Sequence, residues 1–452
     1  MTMKRREFIE KGAMLGASPF LIKPFNILNS SKFSPNDKIR LATIGMGIQG
    51  HYDTNAALAN EGVEHVAVAD LYQGRLNHMK ELHGNKIDTY RDYRELLQRK
   101  DIDAVIIATT DLWHDTITKD ALKAGKHVYC EKPMVHKIEQ GSSVIEAWKK
   151  SGKTMQVGSQ RVSGSDFAEA RRLISEGAIG EINYIEASYD RFSSIGAWNY
   201  SIPLDASPET IDWDTYLKDT AKVPFDPKKF FRWRAYKDFG TGVAGDLFVH
   251  LISGVHYAVQ SNGPSRIFAS GGLRYWKDGR NMPDVMVGIL DYEKSANHPA
   301  FQLVMRVDFA NAGTINNTTR IIGSEGQIEF IRGGLKLTKH KLPKAPGMGG
   351  YDSLFTIEEK QQKAYEEMYN AKYSEADRKA EPIEEVVFKN PEGPSEHVRH
   401  FGNFFENARK GSQNTIEDPV FGFRAAAPVL ACNKSYFERK PVEWDAEKMK
   451  LK

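Results

Sequence analysis

The stretch "IRLATIGMGIQGHYD", residues 39–53, decides how the first part of this chain folds. An apolar run from Ile39 to Ile44 leads into a G-x-G-x-x-G pattern at residues 45–50, and a helix-like segment follows from about His51. In such a unit the first glycine permits a tight turn, the second lets the backbone approach a pyrophosphate, and the third allows close helix packing. The stretch therefore predicts a strand, a glycine turn and a helix whose N-terminus faces an anion.

A second apolar run, "VEHVAVAD", ends in Asp70, which lies 20 residues after Gly50. An acid at this distance can hydrogen-bond the ribose 2′-hydroxyl of a dinucleotide. Because its carboxylate would repel a 2′-phosphate, we expect NAD rather than NADP, although Arg75 nearby can relax that preference. Capping of the following turn is the alternative role for Asp70.

Strands and helices continue to alternate along this part of the chain. "DAVIIATT" and "KHVYCEKP" are strand-like, whereas "YRDYRELLQRKDI" and "HDTITKDALKAG" are helix-like. This alternation indicates a parallel sheet, whose ligands lie beyond the carboxyl ends of its strands. We therefore expect the following residues to contact a dinucleotide: Gly45, Gly47, Ile48, Gln49, Gly50, Asp70, Thr109, His114, Glu131 and Lys132.

The pattern changes after residue 160. Strand-like runs such as "DVMVGILDYE" and "FQLVMRVDF" follow one another with few helices between them, which favours an antiparallel sheet. We predict an α/β plus α+β protein: a doubly wound parallel sheet over residues 37–160, then a large, mostly antiparallel open sheet with flanking helices over 161–452. Residues 339–394 are charged and rich in turn residues, and we expect a surface insertion there with a helix near 357–373.

The composition limits the classes of function. The chain of 452 residues has a net charge of +3 and 40% hydrophobic residues, which describes a globular protein without strong attraction to nucleic acid. Two cysteines, Cys130 and Cys432, cannot make a disulfide framework, and we expect two buried reduced thiols. We expect no metal site.

The N-terminus reads as a targeting segment over residues 1–36. Arg5 and Arg6 precede a short run of small and apolar residues from Gly12 to Ile22, which resembles a twin-arginine export signal. Eleven residues at about 1.5 Å each cannot cross a bilayer core of about 30 Å, so no stable membrane anchor is expected. We expect export to the periplasm; a cytoplasmic protein with a retained basic leader is the alternative.

Two segments of the second part carry candidate chemistry. In "GVAGDLFVHLISGVHYAVQ", Asp246 and His250 stand four residues apart, so a helix puts both on one face, where an imidazole can act as a general base. A surface pair or a capped core histidine is the alternative reading, and His256 is expected to be structural. Aromatic and guanidinium groups suit sugar binding. The candidate substrate contacts are Arg161, Trp198, Arg232, Trp233 and Arg234, with ordinary packing as the alternative for each.

The glycine turn, "IIATTDLWH" and "CEKP" resemble the Gfo/Idh/MocA oxidoreductases, the glucose-fructose oxidoreductase and inositol dehydrogenase superfamily. The resemblance implies that Lys132 contacts both the nicotinamide ribose and the substrate hydroxyl, and that Pro133 sets the backbone, often as a cis peptide. The D-x-x-x-H spacing after E-K-P also matches. Thr110 departs from the family, many members of which have proline there. An open second sheet that pairs with another subunit is also implied, hence a homo-oligomer, dimer or tetramer.

The predicted activity is hydride transfer between a secondary hydroxyl of a sugar, polyol or glycoside and NAD. His250 would take the hydroxyl proton, Lys132 would stabilise the alkoxide, and Asp246 would position the substrate or tune His250. A deprotonated Lys132 acting as the base stays open. An exported protein has no free NAD pool, so we expect NAD to be held tightly. A redox-neutral NAD-dependent glycoside hydrolase or lyase, acting through a transient keto-sugar, is the alternative, and a non-catalytic nucleotide-binding sensor is a minor one.

Overall fold

The computed structural model describes residues 38–313 and 317–452. The predicted export segment, residues 1–36, lies outside these described residues. Within them, no helix is both long enough and apolar enough to span a bilayer.

The first sheet is parallel and has the strand order β3-β2-β1-β4-β5-β6. Of its two central strands, the one over Ala104–Ile107 is buried along its whole length and the one over Ile39–Ile44 at every residue but Arg40, which explains why they read as apolar runs. The strand bounds are β1 (Ile39–Ile44), β2 (Val63–Ala69), β3 (Asp88–Tyr90), β4 (Ala104–Ile107), β5 (His127–Cys130) and β6 (Met155–Val157). The connecting helices are α1 (Ile48–Leu58), α2 (Gln73–His83), α3 (Tyr93–Leu97), α4 (Asp111–Lys123) and α5 (Gly141–Ser151), with 3-10 turns at Gly84–Lys86, Ile138–Gln140 and Gln160–Ser163. The predicted doubly wound parallel sheet is confirmed.

The second sheet has the strand order β14-β13-β12-β11-β7-β10-β9-β8-β15-β16. All neighbouring strands in it are antiparallel except β7 and β10, which run parallel, so the predicted mostly antiparallel sheet is confirmed. Its strand bounds are β7 (Ile182–Ser188), β8 (Arg266–Gly272), β9 (Val285–Tyr292), β10 (Phe301–Asp308), β11 (Thr319–Gly323), β12 (Gly326–Ile331), β13 (Gly334–Lys339), β14 (Glu384–Lys389), β15 (Val442–Asp445) and β16 (Lys450–Leu451).

Within the described residues, helices cover one face of the second sheet and leave the other face uncovered. Burial alternates residue by residue along β9 and β10, as expected of a sheet with one covered face. The helices of this part are α6 (Ser165–Ser175), α7 (Trp213–Leu217), α8 (Pro227–Phe231), α9 (Val249–Val259), α10 (Glu359–Lys372), α11 (Glu375–Arg378), α12 (Glu396–Lys410) and α13 (Pro419–Glu438), with 3-10 turns at Trp233–Ala235 and Ser353–Thr356 and a π-helical turn at Ala244–Phe248.

Helix α12 returns to the nucleotide-binding half of the molecule. Phe401 and Phe404 on this helix pack against Tyr129 of β5, with Phe405 behind them in the same cluster, and the rings of Tyr129 and Phe401 stack at 4.1 Å. The core of the first sheet is therefore completed by residues from the last quarter of the chain, beyond the predicted start of the second domain at residue 161.

The predicted insertion at 339–394 contains a helix close to the expected place, α10. The same segment also contributes β14, which pairs with β13 and extends the second sheet. Cys130 and Cys432 are buried and free, as expected.

Candidate active site

The glycine turn forms a cradle at the carboxyl end of β1. Gly45 has φ +93°, and a Cβ added there would lie 2.6 Å from the carbonyl oxygen of Ala108, so only glycine fits. A Cβ on Gly50 would lie 2.0 Å from the carbonyl oxygen of Gly45, which explains the need for the third glycine. A Cβ on Gly47 would meet only the Arg75 guanidinium, at 3.6 Å. The backbone at the N-terminus of α1 is thus left open to an anion.

Asp70 lies at the end of β2 and lines the same cleft. Its carboxylate accepts hydrogen bonds from the amides of Met46 at 2.8 Å and Tyr72 at 2.9 Å, and it forms a salt bridge with Arg75 at 3.2 Å. Asp70 therefore caps the following turn and also stands beside the glycine turn, so the two roles considered for it are compatible. Arg75 in turn lies over the ring of Phe231, at 5.6 Å from its centroid.

Two buried carboxyl groups lie beneath the far end of the cleft. Burial and the neighbouring Glu131 raise the pKa of Asp53 well above its usual value, and burial also raises the pKa of Glu131. Gln160 donates to Glu131 Oε1 at 2.6 Å, and Gln49 donates to Asp53 Oδ1 at 2.9 Å. Because two adjacent buried carboxylates repel each other, each member of the pair favours the protonated state of its neighbour.

Lys132 leaves β5 through a turn that His114 supports. The peptide bond between Lys132 and Pro133 is cis, as the resemblance implied. His114 Nδ1 donates to the Pro133 carbonyl oxygen at 2.8 Å, and burial lowers the pKa of His114. The other ring nitrogen, Nε2, is buried without a hydrogen-bond partner within the described residues. It is an acceptor at the wall of the cleft, which His114 lines together with Thr109 and Thr110.

Asp246 binds the two cations at the centre of the site. Lys132 Nζ donates to Asp246 Oδ1 at 2.9 Å and to the Asp246 carbonyl oxygen at 3.1 Å, and Arg234 Nε donates to Oδ1 at 3.0 Å. The side chains of Lys132 and Asp246 are only 9% and 8% exposed. Burial alone would raise the pKa of Asp246, but Lys132 and Arg234 hold it far below its usual range. The carboxylate is therefore ionised and keeps the ammonium in place.

The helix that carries Asp246 and His250 differs from the one predicted. Asp246 lies in the π-helical turn, and His250 follows in α9, so the spacing of a regular α-helix does not apply between them. Single π turns inside helices occur frequently at functional sites. Burial and the charges of Lys132 and Arg161 lower the pKa of His250 well below 6.5, so its imidazole is neutral near pH 7. His256, expected to be structural, is buried, and its Nε2 lies 2.8 Å from the Tyr292 hydroxyl oxygen.

Hydrogen bonds connect the second domain to the first directly beside this site. Thr241 donates through its amide and its hydroxyl to Asp111 Oδ2, at 2.9 and 2.6 Å, and the amide of Leu112 donates to the Phe239 carbonyl oxygen. Asp111 begins α4, so the segment before the π-helical turn is held at the carboxyl end of β4. These contacts fix Asp246 above Lys132.

The predicted substrate residues separate into groups. Trp233 and Arg234 line the cleft, and the Arg234 guanidinium lies over the Trp233 ring at 4.2 Å. Arg161 lies over the ring of Tyr189 at 5.4 Å and acts electrostatically on His250. Arg232 instead hydrogen-bonds the Tyr200 carbonyl oxygen at 2.9 Å, and Trp198 is buried in the core. Trp198 and Arg232 do not line the cleft, and their assignment as substrate contacts stays a prediction.

Several residues at the site were not singled out from the sequence. Phe230 and Phe231 line the cleft beside Arg75, within the aromatic loop that the sequence marked only as a whole. Arg191 follows β7, and its charge helps to lower the pKa of Asp246. Glu417, whose pKa burial raises to about 8, accepts from the amide of Ser159 at 2.9 Å. The polar residue after a strand end is a signal that could have found Arg191; no local signal marks Glu417.

The cleft fits NAD along its length. The open backbone at Gly47 suits a pyrophosphate, Asp70 suits a ribose, and the orphaned His114 Nε2 with Lys132 suits the nicotinamide end. Within the described residues, no cluster of His, Cys, Asp and Glu is arranged to hold a metal ion. Fold and site together define a dinucleotide-binding protein with a second domain at the nicotinamide end of its cleft.

Comparison with known proteins bears on the first domain. Residues 39–159 match the Gfo/Idh/MocA family model, described as the oxidoreductase family with an NAD-binding Rossmann fold. This part of the chain is therefore similar to the NAD-binding domain of that family. The chain is 34% identical over 146 residues to the inositol 2-dehydrogenase of Salmonella typhimurium, a match covering 32% of this chain and 43% of the relative. A glycosyl hydrolase family 109 protein of Shewanella baltica is 29% identical over 161 residues, 34% of this chain and 35% of the relative. Less than half of each relative is thus matched.

Solved structures share the fold of both domains. A levoglucosan dehydrogenase, solved with NADH and levoglucosan, has a TM-score of 0.62 at 19% identity, covering 90% of this chain and 99% of its own. An NAD-binding protein from Listeria innocua has a TM-score of 0.61 at 19% identity, covering 90% and 97%. At these identities the likeness extends to the fold alone.

Proposed function

We propose that this protein is an NAD-dependent oxidoreductase acting on a secondary hydroxyl of a sugar, polyol or glycoside. The observation that carries the proposal is the Lys132–Asp246–Arg234 group beside a neutral His250, at the nicotinamide end of a dinucleotide cleft. The inositol and levoglucosan dehydrogenases among its relatives and neighbours support this substrate class. NAD supplies the acceptor for the hydride released from the substrate carbon.

Side chains of the protein accept the proton, stabilise the developing charge and position one another. The unprotonated nitrogen of His250 takes the hydroxyl proton, because burial and nearby cations keep the imidazole neutral. The ammonium of Lys132 stabilises the negative charge that develops on the same oxygen. Asp246 fixes the position of Lys132, and the Arg234 guanidinium completes the neutralisation of Asp246. The substrate O–H and C–H bonds would break and a C=O bond would form. The proton would move to His250, and the hydride, with its electron pair, would be accepted by the NAD that the cleft would hold.

The first experiment uses protein purified without added nucleotide. The protein is denatured, the released nucleotide is identified, and the measurement is repeated after incubation with sugars and glycosides. We expect close to one NAD per chain, held tightly, and its conversion to NADH by at least one sugar. Cleavage of a glycoside with the nucleotide still oxidised would support the redox-neutral hydrolase or lyase instead.

A substitution in the glycine turn tests whether the nucleotide binds against the backbone at Gly47. Gly47→Val places a side chain where only the Arg75 guanidinium lies near, at a backbone φ of −75° that valine tolerates. The variant should fold with nearly unchanged thermal stability, and the purified protein should contain no bound nucleotide when it is denatured. Full nucleotide content in the folded variant would contradict the proposed binding mode.

The pH dependence of turnover should report the lowered pKa of His250. The residue accepts a proton only when it is neutral, and its pKa lies well below 6.5. We therefore expect kcat/KM to stay constant as pH falls through 6.5, and to decrease only at more acidic pH, by up to about tenfold per pH unit. His250→Gln should lower kcat/KM by about 10²- to 10⁴-fold and remove this limb. An acidic limb centred at or above pH 6.5 in the unsubstituted protein would contradict the assignment.

We also propose that the uncovered face of the second sheet pairs with a second copy of the chain. This face carries apolar side chains from the central strands, among them Phe268, Val287, Ile289 and Val304. Its charged groups are paired within the face, as in Arg266–Asp291, Arg306–Asp190 and Arg320–Glu186, so two such faces can approach without charge repulsion. Light scattering after gel filtration should give a dimer or tetramer, and Ile289→Glu should give a monomer. A monomeric unsubstituted protein would contradict the pairing.

Export through the twin-arginine route remains our proposal for residues 1–36, supported by Arg5 and Arg6 ahead of the apolar run. Periplasmic recovery after cell fractionation, lost in a variant with both arginines replaced by lysine, is the expected result. A wholly cytoplasmic protein would contradict it.

A further inference from the structure

Four cationic side chains converge on the reacting groups. Lys132 and Arg234 form salt bridges with Asp246 at 2.9 and 3.0 Å. The charge of Arg191 also acts on Asp246, and the charge of Arg161 acts on His250. The reacting groups are therefore surrounded by cationic side chains.

Arg161 and Arg191 share one aromatic support. Their guanidinium groups lie 5.4 and 5.2 Å from the centroid of the Tyr189 ring, and Arg191 lies 5.6 Å from the ring of Phe309. Arg191 Nη1 donates to the Gly196 carbonyl oxygen at 2.8 Å, which holds its position. Two guanidinium groups stacked on one ring are a preorganised pair of planar donors.

Neither of these arginines has a carboxylate partner. Across residues 38–313 and 317–452, no acidic side chain comes within 4.0 Å of the Arg161 or Arg191 guanidinium. The carboxyl groups that act on the four cations are engaged elsewhere or resist ionisation. Asp246 is bound by two of the cations, Asp111 accepts from Thr241, and burial raises the pKa of Glu131, Asp53 and Glu396. Arg161 and Arg191 are thus the two cations of the group that have no ion pair among the described residues. The adjacent Asp190, by contrast, is bound by Arg306 at 2.5 Å.

We propose that the substrate is an acidic sugar or glycoside, whose carboxylate or phosphate is bound by Arg161 and Arg191 while the reacting hydroxyl faces Lys132 and His250. This inference rests on the proposed function and narrows its substrate class. Charges interact strongly in a cleft of low dielectric, so an anion gains most beside cations that lack an ion pair. The oxidised nicotinamide is itself cationic, which adds to the attraction.

The test compares matched substrates that differ only in the anionic group. Methyl glucoside, methyl glucuronide and methyl glucoside 6-phosphate are each supplied to the NAD-loaded protein, and likewise the galacto series. We expect kcat/KM to favour one acidic form by at least about 100-fold over the neutral sugar. Preference for the uronide identifies a carboxylate, and preference for the 6-phosphate identifies a phosphate ester.

Two variants locate the binding of the anion. Arg161→Gln and Arg191→Gln should each raise KM for the preferred acidic substrate by about 10- to 100-fold, and by at least about tenfold more than they raise KM for the neutral sugar. The matched control is Arg171→Gln, since Arg171 also lies over a tyrosine ring, Tyr257 at 5.1 Å, but bonds to Gln260 away from the cleft. It should leave KM unchanged.

A binding measurement separates failure of this inference from failure of the proposed function. The NADH-loaded protein is titrated with each sugar by calorimetry, which needs no turnover. Binding of the acidic form alone, lost in Arg161→Gln and Arg191→Gln, supports the inference even if no sugar is oxidised, in which case only the proposed activity fails. Equal binding of neutral and acidic sugars, or equal losses for both in the variants, overturns the inference.

Discussion

Replacing Lys132 with methionine should lower kcat by about 10³-fold or more while the Kd for NAD changes less than about threefold. Asp246 holds the ammonium where the proposed function places the reacting oxygen, and loss of one charge-stabilising donor in a buried site typically lowers kcat by about 10²- to 10³-fold. Loss of its positioning effect adds to this. The pyrophosphate and adenosine ends of the cleft do not involve Lys132, so nucleotide binding is retained. Single-turnover kinetics and fluorescence titration with NAD measure the two quantities.

A second buried lysine, next to the other end of β5, provides the control. Lys126 precedes β5 at its opposite end, where its ammonium donates to the carbonyl oxygens of Arg99 and Ile102 at 2.5 and 2.8 Å. Lys126→Met should lower the thermal stability yet leave kcat per folded molecule unchanged. If Lys132→Met reduced NAD binding and kcat by equal factors, Lys132 would be a cofactor ligand rather than a catalytic residue.

Replacing Asp246 with asparagine should change how the protein discriminates NAD from NADH. The substitution removes the carboxylate that neutralises Lys132 and Arg234, so the site becomes more positive. The oxidised nicotinamide is cationic and the reduced ring is neutral, so we expect the ratio of the Kd for NAD to the Kd for NADH to rise by about tenfold. We also expect kcat/KM to fall by about 10²- to 10³-fold, because the ammonium loses its anchor.

Asp284 is the matched control for this substitution. It is fully buried in the second domain and accepts hydrogen bonds from the amides of Arg274, Tyr275 and Trp276 at 2.7, 2.8 and 2.6 Å, without lining the cleft. Asp284→Asn should destabilise the protein and leave the NAD to NADH ratio unchanged. An unchanged ratio in Asp246→Asn would mean that Asp246 does not set the charge of the nicotinamide site.

The nucleotide-binding half could be predicted because its signals are local. The glycine spacing, the apolar strands and Asp70 all lie within about thirty residues, and each reflects the conformation or burial of its own segment. The predicted strand Ile39–Ile44 matches β1 residue for residue. The strand-like runs that predicted the second sheet are local in the same sense. Where the local signal was ambiguous, as at the helix around Asp246, the π-helical turn was missed.

The sequence by itself determined the parallel and antiparallel sheets, the glycine turn and the motif residues, since periodicity and turn chemistry act over a few positions. Only the tertiary structure decided which charges meet. Lys132 binds Asp246 across 114 positions of chain, and Arg161 and Arg191 come together on Tyr189 from separate segments. Helix α12 crosses back to pack on Tyr129. Such contacts depend on how whole sheets and helices pack, and no short stretch encodes that packing.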